Sequence, residues 1–364
     1  MDWDNLCFNI STFVAGIFVL DHGADKFLDH TVIVGRRLGI SPTLIALLTA
    51  GAEYEELAVI IAAILQHRSP LALGNVMGSA ISNILGAFSF GLILNPDGME
   101  FDRSARIYSF LLLSVTTLFV VLAYFNLLNR VTGGILIAIF AVYFVSIGYA
   151  IYKGIAEPPQ MSDSDSDSDI DDEIPIVDEE RSIHRDNRGA ASESSPLLGN
   201  GDPRKDAENK KTPRALYYHI LQLLIGLLEL SLSGYILAHS AGAIVDSFQL
   251  SGTVFGLTVV AFATTLPEKL ISVIGGIRGQ GGIVVATTAG SNIFLLTLCI
   301  GVVAVTGFQA KGADTFVLFD LVTVWLSALG FTTAVFIGPS RAAGIVLLVS
   351  YIAFLIFEFT IYRR

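Results

Sequence analysis

Charge is scarce in this chain. Only 15% of its 364 residues are Asp, Glu, Lys or Arg, while 53% are hydrophobic, a balance too apolar for a water-soluble protein of this size. Cysteine is nearly absent: Cys7 and Cys299 are the only two, so no disulfide framework or Cys-based metal motif is on offer, and the redox compartment cannot be read from them. No nucleophile–base set, phosphate loop or metal motif stands out, which argues against an enzyme and against a resident cofactor. The formal net charge of −11 argues against a nucleic-acid partner. The start, MDWDNLCFNIS, is acidic rather than basic, so no cleavable signal is expected.

What the chain has instead is long apolar runs. A bilayer crossing takes about 20 apolar residues, and runs suited to it lie at about 6–33, 43–66, 70–94, 107–128, 133–153, 216–245, 253–277, 282–306, 315–337 and 342–362. That predicts an all-α membrane protein of about ten transmembrane helices, with the lipid bilayer as its first partner. Asp21, His22, Asp25 and Lys26 fall in the second half of the first run; they are expected at the membrane surface, with Lys26 neutralising one of the carboxylates one turn apart.

Residues 157–214 break the apolar pattern. They hold 16 of the 33 acidic residues and 8 of the 22 basic ones, a net of −8, and include the run SDSDSDSDIDDE. Such a composition cannot bury enough apolar area to fold. The expected division is therefore 1–156, a first half of five spans; 157–214, a disordered acidic loop; and 215–364, a second half of five spans. Within the loop, Glu193-Ser194-Ser195-Pro196-Leu197-Leu198 has the form of an acidic dileucine signal for a sorting adaptor. With the N-terminus outside or luminal, Arg36, Arg37, Arg103, Arg106, Lys153, Arg214, Arg278 and Arg341 fall on the cytosolic side, against Arg68, Arg130, Lys311, Arg363 and Arg364 outside. That bias puts the acidic loop in the cytosol.

The chemistry concentrates in residues 256–305. One apolar run there holds Thr264-Thr265-Leu266-Pro267-Glu268 and the next holds Gly290-Ser291-Asn292. A proline disfavours helix at the residue before it, and a carboxylate in lipid is expensive unless it faces a polar cavity or a cation. A broken membrane helix with hydroxyls and a carboxylate at the break is how transporters build ion sites at the midplane. Sliding the first half by 212 positions places Glu56 on Glu268, Gly78 on Gly290 and Ser79 on Ser291 without a gap. Because five spans is an odd number, the two halves must be oppositely oriented: an inverted repeat.

These paired segments resemble the alpha repeats of the cation/Ca²⁺ exchanger superfamily, in particular its sodium/calcium exchanger membrane region. The resemblance rests on Ala261–Glu268 with Gly290-Ser291-Asn292-Ile293-Phe294 in the second copy, and on Glu56, Gly74-Asn75-Val76, Gly78-Ser79 and Asn83 in the first. It implies two inverted five-helix repeats with broken helices at the ion site. It also implies a Ca²⁺ centre shared by Glu56 and Glu268, carbonyl ligands at Thr49 and Ala261, hydroxyls for Na⁺ at Thr264, Thr265, Ser79 and Ser291, and an amide at Asn83. Each hydroxyl has the alternative of bridging helices structurally.

The first copy departs from the pattern. Ala52-Glu53 stands where the family has two hydroxyls, Glu55 replaces the proline, and in the second copy Leu295 pairs with Asn83. Fewer oxygen ligands weaken Na⁺ binding, while carboxylates crowded at Glu53, Glu56 and Glu268 repel one another when ionised and favour protonation. Lys269 either snorkels away or neutralises Glu268. The expectation is a secondary antiporter moving Ca²⁺ against Na⁺ or H⁺ by alternating access, with inorganic cations as its ligands. An exchanger for Mn²⁺ or Mg²⁺ and a transport-inactive membrane scaffold or sensor stay open. The dileucine-like signal favours a vacuolar or lysosomal-type membrane over the plasma membrane or endoplasmic reticulum.

Overall fold

The computed structural model describes residues 3–38, 53–94, 99–152, 216–307 and 316–361, and every regular element among them is helical. The acidic segment 157–214, its dileucine-like motif Glu193–Leu198 and Thr49 lie outside the described residues. The first half contributes α1 (Trp3–Arg37), α2 (Tyr54–Leu65), α3 (Ser69–Leu94), α4 (Arg103–Tyr124) and α5 (Arg130–Tyr152). The second contributes α6 (Leu216–Phe248), α7 (Gly252–Thr264), α8 (Leu266–Ile277), α9 (Gly281–Val305), α10 (Leu318–Ile337) and α11 (Arg341–Thr360).

The repeat seen in the motifs extends to the helix boundaries. The starts of α1, α2 and α3 recur 212 or 213 positions on, as the starts of α6, α8 and α9. Eight of these helices are long and apolar enough to cross a membrane, and α7 with α8 forms a ninth span bent by 48° at its break. The count of ten expected from the sequence is thus approximate. From the run at 43–66 the described residues give α2 alone, and the counterpart of α7 falls on residues 39–52, which are not described.

Packing follows the same symmetry. Helix α1 lies along α6 and α4 along α10, while α5 lies along α9 as α11 lies along α3. The two central helices, α3 and α9, are mostly buried, whereas α5 turns most of its side chains outward. Large apolar residues such as Val131 (73% exposed) and Val142 (71%) form that outer surface, which suits lipid and not water. One pairing breaks the symmetry: α2 lies along α6, whereas its repeat partner α8 lies along α3, and α2 touches α9 only slightly.

Close approach of α3 to α7 depends on missing side chains. A Cβ on Gly74 would stand 2.2 Å from the Thr253 carbonyl oxygen. Four residues apart, Gly74 and Gly78 open one stripe of α3 to the backbone of α7, the small-residue packing that membrane helices use where lipid leaves no hydrophobic drive. The helical ladder also widens to π geometry at Ser82–Phe88 in α3, Gly256–Val260 in α7 and Leu295–Cys299 in α9. Such turns interrupt the regular bonding of a helix and are frequent at functional sites.

Candidate cation site

Three carboxylates meet where the halves join. Glu53 immediately precedes α2, Glu56 lies in its first turn, and Glu268 lies in the first turn of α8. Their carboxylate oxygens lie within 4.8 Å of one another, and all three residues are buried. Helix starts present unpaired backbone N–H groups and the positive end of the helix dipole, which favours the carboxylates placed there. That is a partial offset at most: three buried anions this close need a cation or protons among them.

Both helices begin at the same repeat position. Glu53, at φ −79° and ψ 71°, leads into α2, and Thr265, at φ −89° and ψ 18°, leads into α8. Only the second copy has a proline in its first turn. The helix start in the first copy therefore does not depend on Pro, and Glu55 occupies that position half-buried.

Several buried polar groups on α2, α8 and the two central helices α3 and α9 are unpartnered. Both oxygens of Glu56, one of Glu268, both amide atoms of Asn75 and of Asn83, and the hydroxyls of Ser79 and Ser291 are buried without a hydrogen bond. Asn75, Ser79 and Asn83 recur every four residues, so they share one stripe of α3. Asn292 donates to the Thr288 carbonyl at 2.9 Å but leaves its own oxygen unpartnered. Buried polar atoms are ordinarily satisfied, so this concentration of free oxygens fits a ligand set for a hard cation.

The hydroxyls of the second copy are differently engaged. Thr265 donates to the Ala261 carbonyl at 2.6 Å, and the Thr264 hydroxyl stands 3.5 Å from the same oxygen. Thr265 also accepts from the Lys269 ammonium. Lys269 is itself buried, so it does not snorkel. Nor does it pair with Glu268: the ion pairs among the described residues join Glu229 to His22 and Lys26, and Arg68 to Asp246. Lys26 thus pairs with Glu229 on α6, at 3.0 Å, and not with the carboxylates on its own helix, because α1 and α6 run side by side.

Of the residues singled out from sequence, Glu53, Glu56 and Glu268 come together. Ser79, Asn83 and Ser291 lie buried and unpartnered on α3 and α9, while Thr264, Thr265 and Ala261 gather at the α7–α8 break. Sequence reasoning gave no role to Asn75 or Asn292, although the spacing of four from Ser79 places Asn75 on the stripe of Asn83. It also missed Ser82, which accepts from both Lys269 (2.9 Å) and Tyr351 (3.0 Å). Nothing local in the sequence connects residues 82 and 351.

Residues 8–148 and 218–360 match the family model described as sodium/calcium exchanger protein. The chain is 26% identical to the sodium/calcium exchanger MaX1 of Methanosarcina acetivorans, over 97% of this chain and 99% of that one. It is 27% identical to CaxA, a candidate antiporter of Alkalimonas amylolytica, over 94% of this chain and 95% of that one. Among solved structures it superposes on the sodium-calcium exchanger NCX_Mj soaked with Na⁺ and Sr²⁺, with a TM-score of 0.55 at 20% identity, covering 96% of this chain and 98% of that one. Native YfkE gives a TM-score of 0.64 at 15% identity, covering 99% and 94%. At these identities the structures establish the fold.

Proposed function

The chain belongs to the sodium/calcium exchanger family of multi-pass membrane transporters, and we propose that it is an antiporter in which Glu56 and Glu268 hold Ca²⁺ at the junction of the two repeats. The observation that carries this reading is the buried cluster of Glu53, Glu56 and Glu268, within 4.8 Å, in a protein whose two central helices carry further buried polar groups without hydrogen bonds. Ca²⁺ takes six to eight oxygens, carboxylates among them. Two carboxylates neutralise its charge, and the amides and hydroxyls of Asn75, Ser79, Asn83 and Ser291 supply neutral ligands. Glu53 is a third carboxylate, so the unloaded site needs counter-charge from Na⁺ or H⁺.

Exchange follows from competition. Ca²⁺ and the coupling ion cannot both satisfy the same carboxylates, so each leaves when the other binds. The unequal packing of α2 and α8 supports alternating access, in which the halves rock about the site and trade postures. The acidic loop at 157–214 is assigned to the cytosol, and the dileucine-like motif at Glu193–Leu198 to an adaptor that sorts the protein to a vacuolar or lysosomal-type membrane.

The test is radioactive Ca²⁺ uptake into proteoliposomes under imposed Na⁺ or pH gradients, with Glu268→Gln as control. Uptake driven by one gradient and abolished by the substitution establishes the antiporter and its coupling ion. No gradient-dependent uptake of Ca²⁺ by folded protein would overturn the reading and turn attention to Mn²⁺ and Mg²⁺.

A further inference from the structure

Beside the carboxylate cluster, the break between α7 and α8 holds a second polar centre built around Lys269. Its ammonium donates to the Ser82 hydroxyl (2.9 Å), the Thr265 carbonyl (3.0 Å) and the Thr265 hydroxyl, and stands 3.5 Å from the Phe262 carbonyl. The Phe262 ring lies 4.7 Å away, measured to its centroid, close enough for a cation–π contact. Burying an ammonium is expensive unless its three protons find acceptors, and here they do. The acceptors are all neutral, and no carboxylate oxygen among the described residues lies within 4 Å of the ammonium.

Such a set of hydroxyls and backbone carbonyls at an interrupted membrane helix is the donor set that suits a bare alkali cation. Nothing about it is selective for an amine. The lysine reaches it from one turn away, its stem running past Gly86 in the π segment of α3, where a Cβ would stand 3.4 Å from Lys269 Cε. The second observation is the charge balance between repeats. Position 57, the repeat partner of Lys269, is Leu, and position 53, the repeat partner of Thr265, is Glu. At these two positions the first half carries an anion where the second is neutral, and the second a cation where the first is neutral, so Lys269 offsets the charge of Glu53.

We propose that Lys269 is a tethered cation that occupies a monovalent-ion position at the α7–α8 break, so that this half of the protein contributes no free Na⁺ to exchange. The consequence for transport rests on the antiporter reading above; occupancy of the position does not. With the lysine in place, the cycle runs with one fewer mobile monovalent ion.

The test compares radioactive Na⁺ binding to purified, Ca²⁺-free wild type with Lys269→Leu, the residue found at position 57, and Lys269→Gln. Each variant, monodisperse and folded, is expected to gain one bound Na⁺ per chain and a Na⁺-dependent rise in unfolding temperature, and in proteoliposomes a Na⁺ gradient then increases Ca²⁺ uptake. Folded variants that bind no more Na⁺ than wild type would overturn the proposal. Should neither variant fold, Thr265→Ala in the wild-type background decides: Na⁺ binding lost on that substitution refutes the tethered cation, and unchanged binding upholds it. If no form transports Ca²⁺ under any gradient, the antiporter reading fails, while a gain of Na⁺ binding still upholds the role of Lys269.

Discussion

Gly78 on α3 lies beneath the Leu257 carbonyl of α7, so close that a Cβ on it would stand 2.1 Å from that oxygen and 2.6 Å from the Ala261 side chain. Neither neighbour is the flexible end of a long side chain, so the contact has no easy relief. Gly78→Ala is expected to force the two helices apart and destabilise the protein by about 1–3 kcal/mol or more. A lowered unfolding temperature in detergent, with Ca²⁺ uptake reduced in step, is the measurement. Unchanged stability would mean that the two helices do not meet so closely.

The two glutamates proposed to share the ion should behave alike. Glu56→Gln and Glu268→Gln each keep shape and remove one charge, leaving the other carboxylates without it. Loss of one partner of a buried charge group costs about 2–5 kcal/mol, so Ca²⁺ affinity should fall by about 30-fold or more in each. Concentration dependence of Ca²⁺ uptake checks this. A strong effect from one and none from the other would place the ion in a single half.

Glu53 and Lys269 should be energetically linked through the charge they jointly hold neutral. Glu53→Thr removes an anion and Lys269→Leu removes a cation, so each alone changes the charge of the centre, and the double variant restores it. The double-mutant cycle in Ca²⁺ affinity is expected to show coupling of about 0.5–3 kcal/mol, with the double variant recovering part of what the singles lose. Strict additivity would separate the two groups.

The ion pair between Arg68 and Asp246, at 2.8 Å, should by contrast matter little. Its side chains are 35% and 64% exposed, and exposed pairs contribute about 0–1 kcal/mol. Asp246→Asn is expected to leave uptake intact and to shift the unfolding temperature only slightly. A loss of transport would assign that pair to the moving interface.

Much of this was legible in the sequence because it is written twice. The offset of 212 set Glu56 against Glu268 and gave the inverted halves. The proline at 267 marked a break that the structure places between α7 and α8. The first-copy helix start at Tyr54 was not marked by any residue type, since Glu55 stands in place of the proline. Lys269 was the least legible. Its partners are a hydroxyl at position 82 and carbonyls at its own helix break, and no periodicity announces a contact between residues 82, 269 and 351. The widened turns in α3, α7 and α9 have no sequence signature either.

The unequal seating of α2 and α8 has a thermodynamic corollary. Two halves built on one template have two equivalent ways to sit, each the exchange of the other. Were the halves identical, the proposed rocking cycle would have end states of equal free energy on the two sides of the membrane. Every bias between them therefore arises from positions where the copies differ, such as Glu53 and Thr265, Leu57 and Lys269, or Asn83 and Leu295. In that cycle the resting orientation is a property of the chain's imperfect self-similarity, to be tuned by making the halves more alike.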